Sequence, residues 1–111
     1  MEERRAAGIS RTLLPALLAL VGTVGAAGER SGRPVGVCGE AAADPLLALV
    51  LVGLGATSLS MSAPALPAVR HALALHTREE CHRLAELAVA ASSAQGAREA
   101  VRSAAHPESL D

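Results

Sequence analysis

The 111-residue chain contains no Phe, Tyr or Trp, although half of it is apolar. Its core must therefore be assembled from Leu, Val and Ala, with no aromatic ring to fill volume or stack on a ligand. Single-stranded nucleic-acid binding, which relies on aromatic platforms, is disfavoured on that ground. Lysine is also missing: all ten cations are Arg, scattered along a chain of net charge −1. Without a basic patch there is no electrostatic footprint for DNA or RNA. Cysteine occurs only at Cys38 and Cys81, which make no disulfide framework and read as free thiols of a reducing compartment. Long apolar runs are lacking too. Leu46 to Leu54 falls well short of the roughly 20 residues that span a bilayer, so no membrane span is expected.

The N-terminus admits two readings. Three Arg up to Arg11, an apolar run from Leu13 to Val24 and small residues at Gly25, Ala26, Ala27 and Gly28 have the shape of a secretory signal peptide. Against this, Glu2 and Glu3 dilute the positive start, and Pro15 and Gly22 interrupt the run.

Residues 1–12 show no period and read as an irregular lead-in. Leu14, Leu17, Leu18, Val21 and Val24 then mark one face of a helix, opened by Pro15 and stopped by Gly32 and Pro34. Pro34 to Cys38 reads as a short strand of the buried, non-alternating kind. Asp44 followed by Pro45 is an N-cap with proline in the first helical turn, leading into an apolar helix over Leu46 to Leu54. Ser58 to Ser62 is a second strand candidate, and Pro64 and Pro67 start a helix with Leu66, Val69, Leu73 and Leu75 inward. Thr77 with Glu80 forms a capping box for a helix burying Cys81, Leu84, Ala85 and Ala88. Ser92 with Gln95 repeats the device for a last helix ending near Ala105, and the polar residues 106–111 are expected to fray.

The interval from Val35 to Ser58, about 23 residues, suits consecutive units of a parallel β/α structure. Two parallel strands would leave unpaired edges, and their helices would lack a second layer to cover. The pattern is that of a portion of something larger.

The stretch Val37, Cys38, Gly39, Glu40, followed by Ala43 and Asp44, a Leu-rich helix, Val52-Gly53-Leu54-Gly55 and Ser58-Leu59-Ser60-Met61-Ser62-Ala63, resembles the end of the (β/α)8 barrel of phosphoenolpyruvate-utilising enzymes. Pyruvate phosphate dikinase and phosphoenolpyruvate synthase share the Cys-Gly-Glu turn; the Ser-Met-Ser-Ala ending is nearer to enzyme I of the sugar phosphotransferase system. Pro15-Ala16-Leu17-Leu18 and the exit from Ala27 to Pro34 also resemble the preceding barrel helix, and the two C-terminal helices match the family's terminal extension. The implied fold is the last portion of a (β/α)8 barrel, about two strands with flanking helices, plus two C-terminal helices. Residues 13–105 would be the partial domain and 106–111 a polar tail. Read as a barrel helix, the apolar N-terminal run needs no secretion signal, and a cytoplasmic location follows.

The resemblance implies phosphoryl transfer from phosphoenolpyruvate to a protein histidine that then phosphorylates a small carrier protein. It makes Cys38 the acid that protonates enolpyruvate on its methylene carbon, with Gly39 and Glu40 forming the adjacent active-site turn. A thiol, with an ordinary pKa of about 8.5, is mostly protonated at neutral pH and has a proton to give. The family's Mg²⁺ is held by Glu and Asp of earlier strands, and the substrate's phosphate and carboxylate by arginines of earlier strands. Those segments are absent here, as is the Gly-rich segment bearing the phosphohistidine. His71, His76, His82 and His106 lack that context and read as solvated helix-surface residues. The expected activity is thus that of a phosphotransferase fragment inactive alone. The alternatives are a non-catalytic partner completing or docking on a larger barrel, and a small secreted helical protein. The family barrel also dimerises, so a homodimer is a further expectation.

Other constellations are weaker. His71, His76, Cys81 and His82 match no recognised zinc spacing, with Thr77 breaking the helix between them. Glu40 and Asp44 could pair as carboxylates, but Asp44 is better explained as a cap. Gly53-Leu54-Gly55 does not open a helix after a strand, as a nucleotide-binding turn would. Met61 reads as a core or subunit-contact residue.

Overall fold

The computed structural model describes residues 15–110. Helix α1, Pro15–Ser31, ends where Gly32 takes a φ of 68°, and its last carbonyls are closed by two N–H groups. Arg33 donates to the Gly28 carbonyl at 2.8 Å and Gly32 to that of Glu29 at 3.3 Å, the paired bonds of a Schellman stop. Strand β1, Gly36–Cys38, follows, then the single helical turn α2, Glu40–Ala43, and helix α3, Pro45–Gly53. Strand β2, Ser58–Ser60, pairs in parallel with β1, placing Gly36 against Ser58, Val37 against Leu59 and Cys38 against Ser60. A 3₁₀ turn, Ala63–Ala65, leads into α4, Leu66–Ala74; α5, Arg78–Ala90, and α6, Ala94–Ala104, complete the helices, and a 3₁₀ turn, Pro107–Leu110, follows. The fold is mixed α/β, rich in helix, with a two-stranded parallel sheet among the described residues.

Helix α3 is the centre of the core. Leu47, Ala48, Leu49 and Val50 are all fully buried, so the helix is enclosed on every side rather than along one stripe. Cys81, Leu84, Ala85 and Ala88 of α5 and Ala97 and Val101 of α6 belong to the same buried cluster, as does Ala72 of α4. The helices expected to lack a cover are therefore covered by the chain's own C-terminal half. With no aromatic volume available, elements approach closely through small residues. A Cβ on Gly53 would overlap the Cys81 carbonyl, and one on Gly25 the Leu54 carbonyl.

Several sequence expectations need correction. Val24 belongs to the apolar face that the sequence marks on α1, yet it and Leu20 are exposed, at 54% and 62%. The face that packs is that of Leu18, Gly25 and Gly28, because only glycine lets the α1 backbone meet the Leu54–Gly55 turn. The strands, expected to be buried, alternate exposed, half-buried, exposed, since the described helices do not enclose them on both sides. The α6 cap is Ser93, accepting from the Gly96 N–H at 3.0 Å, and not Ser92 with Gln95. In the polar tail, where fraying was expected, His106 and Glu108 are hydrogen-bonded to the rest of the chain. The His71 Nε2–H donates to the Glu108 carbonyl at 3.0 Å, and the His106 backbone N–H to His76 Nε2 at 3.1 Å.

Candidate active-site turn at Cys38

Cys38 closes β1 with its thiol free and exposed. Two features fix where the strand ends. Upstream, Thr57 accepts the Val35 N–H on Oγ1 at 2.8 Å and donates its hydroxyl back to the Val35 carbonyl at 3.1 Å, setting the register of the pair. Downstream, Gly39 donates to the Ser60 carbonyl at 3.2 Å and then turns the chain with a φ of 102°, a region that side-chain-bearing residues rarely adopt. The turn therefore requires the glycine, and it leaves Cys38 at the C-terminal end of a parallel strand, beside Ser60 on β2.

Glu40 opens α2 and Asp44 ends it. The expected cap is present: Asp44 Oδ1 accepts from the Leu46 and Leu47 N–H groups at 3.0 and 3.4 Å. Sequence reasoning missed its second partner. Arg98 Nη1 on α6 donates to Asp44 Oδ2 at 2.9 Å. These residues lie 54 positions apart, and no local pattern links them.

The remaining candidates lie elsewhere. Cys81 is buried in the core, where desolvation, and then the charge of Glu80, push its thiol pKa up; it is not a reactive thiol. His71 and His82 are exposed as expected, but they are engaged: His82 Nδ1–H donates to the Gly53 carbonyl at 3.3 Å and Nε2 lies 3.4 Å from Glu86. His76 is half-buried, its Nδ1–H donating to the Ala72 carbonyl at 2.7 Å and its ring centroid 4.8 Å from that of His106. His106 Nε2 lies 3.0 Å from Glu80 Oε2. Hydrogen bonds from the Thr77 backbone N–H and from His106 hold the Glu80 carboxyl below the usual carboxylate range.

Among the described residues, no three His, Cys, Asp or Glu side chains come together in a group that could hold a metal ion. An open hollow of about 660 Å³ lies at the far end of α3 from Cys38, bounded by Gly22, Glu29, Gly53, Arg78 and His82. A second, of about 430 Å³, runs along β2 beside Leu59, Met61, Val69 and Leu73. Cys38 lines neither. Met61 thus borders an open apolar hollow rather than a closed core. What the described geometry offers chemically is one presented thiol at a strand end. Among the described residues, no helix is long and apolar enough to cross a membrane.

Comparison with known proteins places this chain in a family. Residues 2–78 match the model of the PEP-binding domain of PEP-utilising enzymes, a match that takes in nearly all of the stretch set apart above as a lead-in. A phosphoenolpyruvate-protein phosphotransferase of Streptomyces coelicolor is 57% identical over 88 residues, covering 79% of this chain and 16% of that protein. One from a Bacillus species is 37% identical over 81 residues, 73% of this chain and 14% of the relative. A multiphosphoryl transfer protein of Escherichia coli is 35% identical over 91 residues, 82% and 11% respectively. The chain thus spans less than a fifth of the length of these relatives, and it belongs to the PEP-utilising enzyme family through their PEP-binding domain.

Proposed function

We propose that the chain is the C-terminal portion of the (β/α)8 barrel of a phosphoenolpyruvate-protein phosphotransferase, enzyme I of the sugar phosphotransferase system, and that Cys38 is its proton donor. The observation that carries this reading is the exposed thiol of Cys38 at the C-terminal end of a parallel strand, the end at which such barrels hold their chemistry. In the proposed step, enolpyruvate left by phosphoryl transfer takes the Cys38 proton on its methylene carbon. A C–H bond forms as the S–H bond breaks, the enolate collapses to the ketone of pyruvate, and the thiolate is reprotonated from solvent. Gly39 and Glu40 shape the turn that presents the thiol.

The groups that bind phosphoenolpyruvate and Mg²⁺, and the histidine that receives the phosphoryl group, would be supplied by segments such as the relatives carry outside the matched stretch. The chain alone would therefore be inactive. Its partners would be phosphoenolpyruvate, a phosphocarrier protein and either a second copy or a longer barrel chain, all in the cytoplasm. Among the described residues the sheet has only two strands, with an apolar hollow beside β2, and this favours the longer chain as the surface on which this one docks or which it completes.

The test is a phosphoryl-transfer assay with phosphoenolpyruvate, Mg²⁺ and a phosphocarrier protein. The purified chain should give no transfer, and a longer relative truncated before the matched segment should regain transfer when this chain is added. Cys38→Ala should abolish the regained activity. Robust turnover by the isolated chain, or unchanged rescue by the Cys38→Ala form, contradicts the proposal.

A further inference from the structure

Asp44 is held from two sides. Its Oδ1 is occupied by the Leu46 and Leu47 N–H groups, and its Oδ2 receives Arg98 Nη1 at 2.9 Å, with the Asp44 side chain only 18% and that of Arg98 37% exposed. A charge-assisted bond with this degree of burial is stronger and less screened than a surface pair. The exposed Arg78–Glu29 pair, at 77% and 68%, provides the contrast within the same chain.

Asp44 is also the hinge between two elements, the C-cap of α2 and the N-cap of α3. Helix α2 is one turn of four residues, too short to hold its own direction. At its start Gly39 provides no side-chain cap, and the anchor there is the Gly39 N–H to the Ser60 carbonyl. The orientation of the segment that follows Cys38 is therefore set by its two ends, the β2 backbone on one side and Asp44 on the other. Arg98 fixes the second end from α6, beyond residue 78, where the match to the PEP-binding domain stops.

We infer that Arg98 is a positioning residue for the Cys38 turn, acting through Asp44, so that the C-terminal helix serves the site from outside the matched domain. Its catalytic meaning rests on Cys38 being the proton donor; the geometry itself does not.

The test uses the full chain and needs no turnover, so that its failure is separate from failure of the functional reading. Backbone amide resonances and the alkylation rate of Cys38 by iodoacetamide are compared in wild type, R98Q and R98K, with buried Cys81 as the internal reference for global folding. R98Q should displace the amide resonances of residues 38–47, leave those of α5 in place, and change Cys38 alkylation several-fold while Cys81 stays protected. R98K, which restores the charge, should return both readouts toward wild type. Unchanged resonances at residues 38–47 in R98Q overturn the inference. So does loss of Cys81 protection in both variants, because Arg98 would then be holding the fold and not the turn.

Discussion

Gly25→Ala should destabilise this chain even though alanine is the better helix former. In an open helix interior the exchange gains about 1 kcal/mol. At Gly25, however, the added Cβ would overlap the Leu54 carbonyl and lie 3.1 Å from the Gly55 Cα. Both belong to the backbone of the turn that closes α3, and backbone cannot rotate aside as a side chain can. Helix α1 would have to lift from that turn, loosening Leu18, which is 1% exposed. Overpacking of this kind costs about 1–3 kcal/mol, and contact with backbone puts Gly25 toward the upper end, so the net loss should reach about 2 kcal/mol.

Gly22, on the same face of α1, is the internal control. A Cβ there meets only Leu54 Cδ2 at 3.2 Å, the movable end of a side chain. Gly22→Ala should keep most of the helical gain of about 1 kcal/mol. The two variants should therefore move in opposite directions, readable by urea unfolding followed by far-UV circular dichroism. In thermal melts each kcal/mol should appear as a shift of about 4–8 °C for a chain of this size. A Gly25→Ala chain at least as stable as Gly22→Ala refutes the close packing of α1 on the α3 turn.

Glu80 is held below its ordinary 4.5, first by the Thr77 backbone N–H and then by the His106 side chain. Because its folded value is the lower one, its contribution is complete above 4.5 and is lost as pH falls through the folded value. Glu80→Gln should accordingly flatten the acid limb of the stability profile, and an identical acid limb in both chains would contradict this. Iodoacetamide should modify Cys38 rapidly in the folded chain and Cys81 only on unfolding, since one thiol is exposed and the other buried with its pKa raised; equal rates would refute that assignment. Gly39→Ala should cost about 1–3 kcal/mol through its backbone alone, because the φ of 102° is unfavourable for alanine while nothing beyond its chain neighbours stands within 4 Å of the new Cβ. Chemical denaturation measures it, and a neutral result would show that the turn relaxes freely.

What the sequence made legible were the features whose partners are neighbours. The Thr77–Glu80 capping box forms as expected, at 3.0 and 2.8 Å. Asp44 caps α3, and Gly32 ends α1, because each answers to groups only a few positions away. Ser92 and Ser93 are adjacent and chemically alike, so local pattern could not choose between them; the phase that buries Ala97 and Val101 did. Val24 misled because an apolar residue on a helix was assumed to face inward, when the packing face had been chosen by glycines that carry no hydrophobic signal. The tail looked unanchored because its partners are distant: Glu108 meets His71 from 37 positions away and His106 meets Glu80 from 26. Cys38 is singled out by its motif, whereas the Arg98–Asp44 pair is hidden by a separation that no periodicity reports.

The division between helices and sheet bears on how the Cys38 turn is held. The buried cluster runs through α3, α5 and α6, while each strand places only its middle residue, Val37 or Leu59, in partial contact with it. A two-stranded sheet is marginal alone, so within this chain the strands are held in place by the helix stack more than by their own pairing. Cys38 sits where the two meet. Its own residue belongs to the weakly held strand, but six positions later the chain is capped, ion-paired and entering the most enclosed helix of the structure. Of the two ends that set the direction of the turn, Asp44 is therefore the more firmly held, and loosening it should disturb the turn more than loosening the sheet edge. Exchange of the Gly39 amide separates the two cases: its bond to Ser60 is made to the strand, and the Leu46 and Leu47 amides report the cap. The C-terminal helices are then part of what keeps the thiol presented at the end of β1.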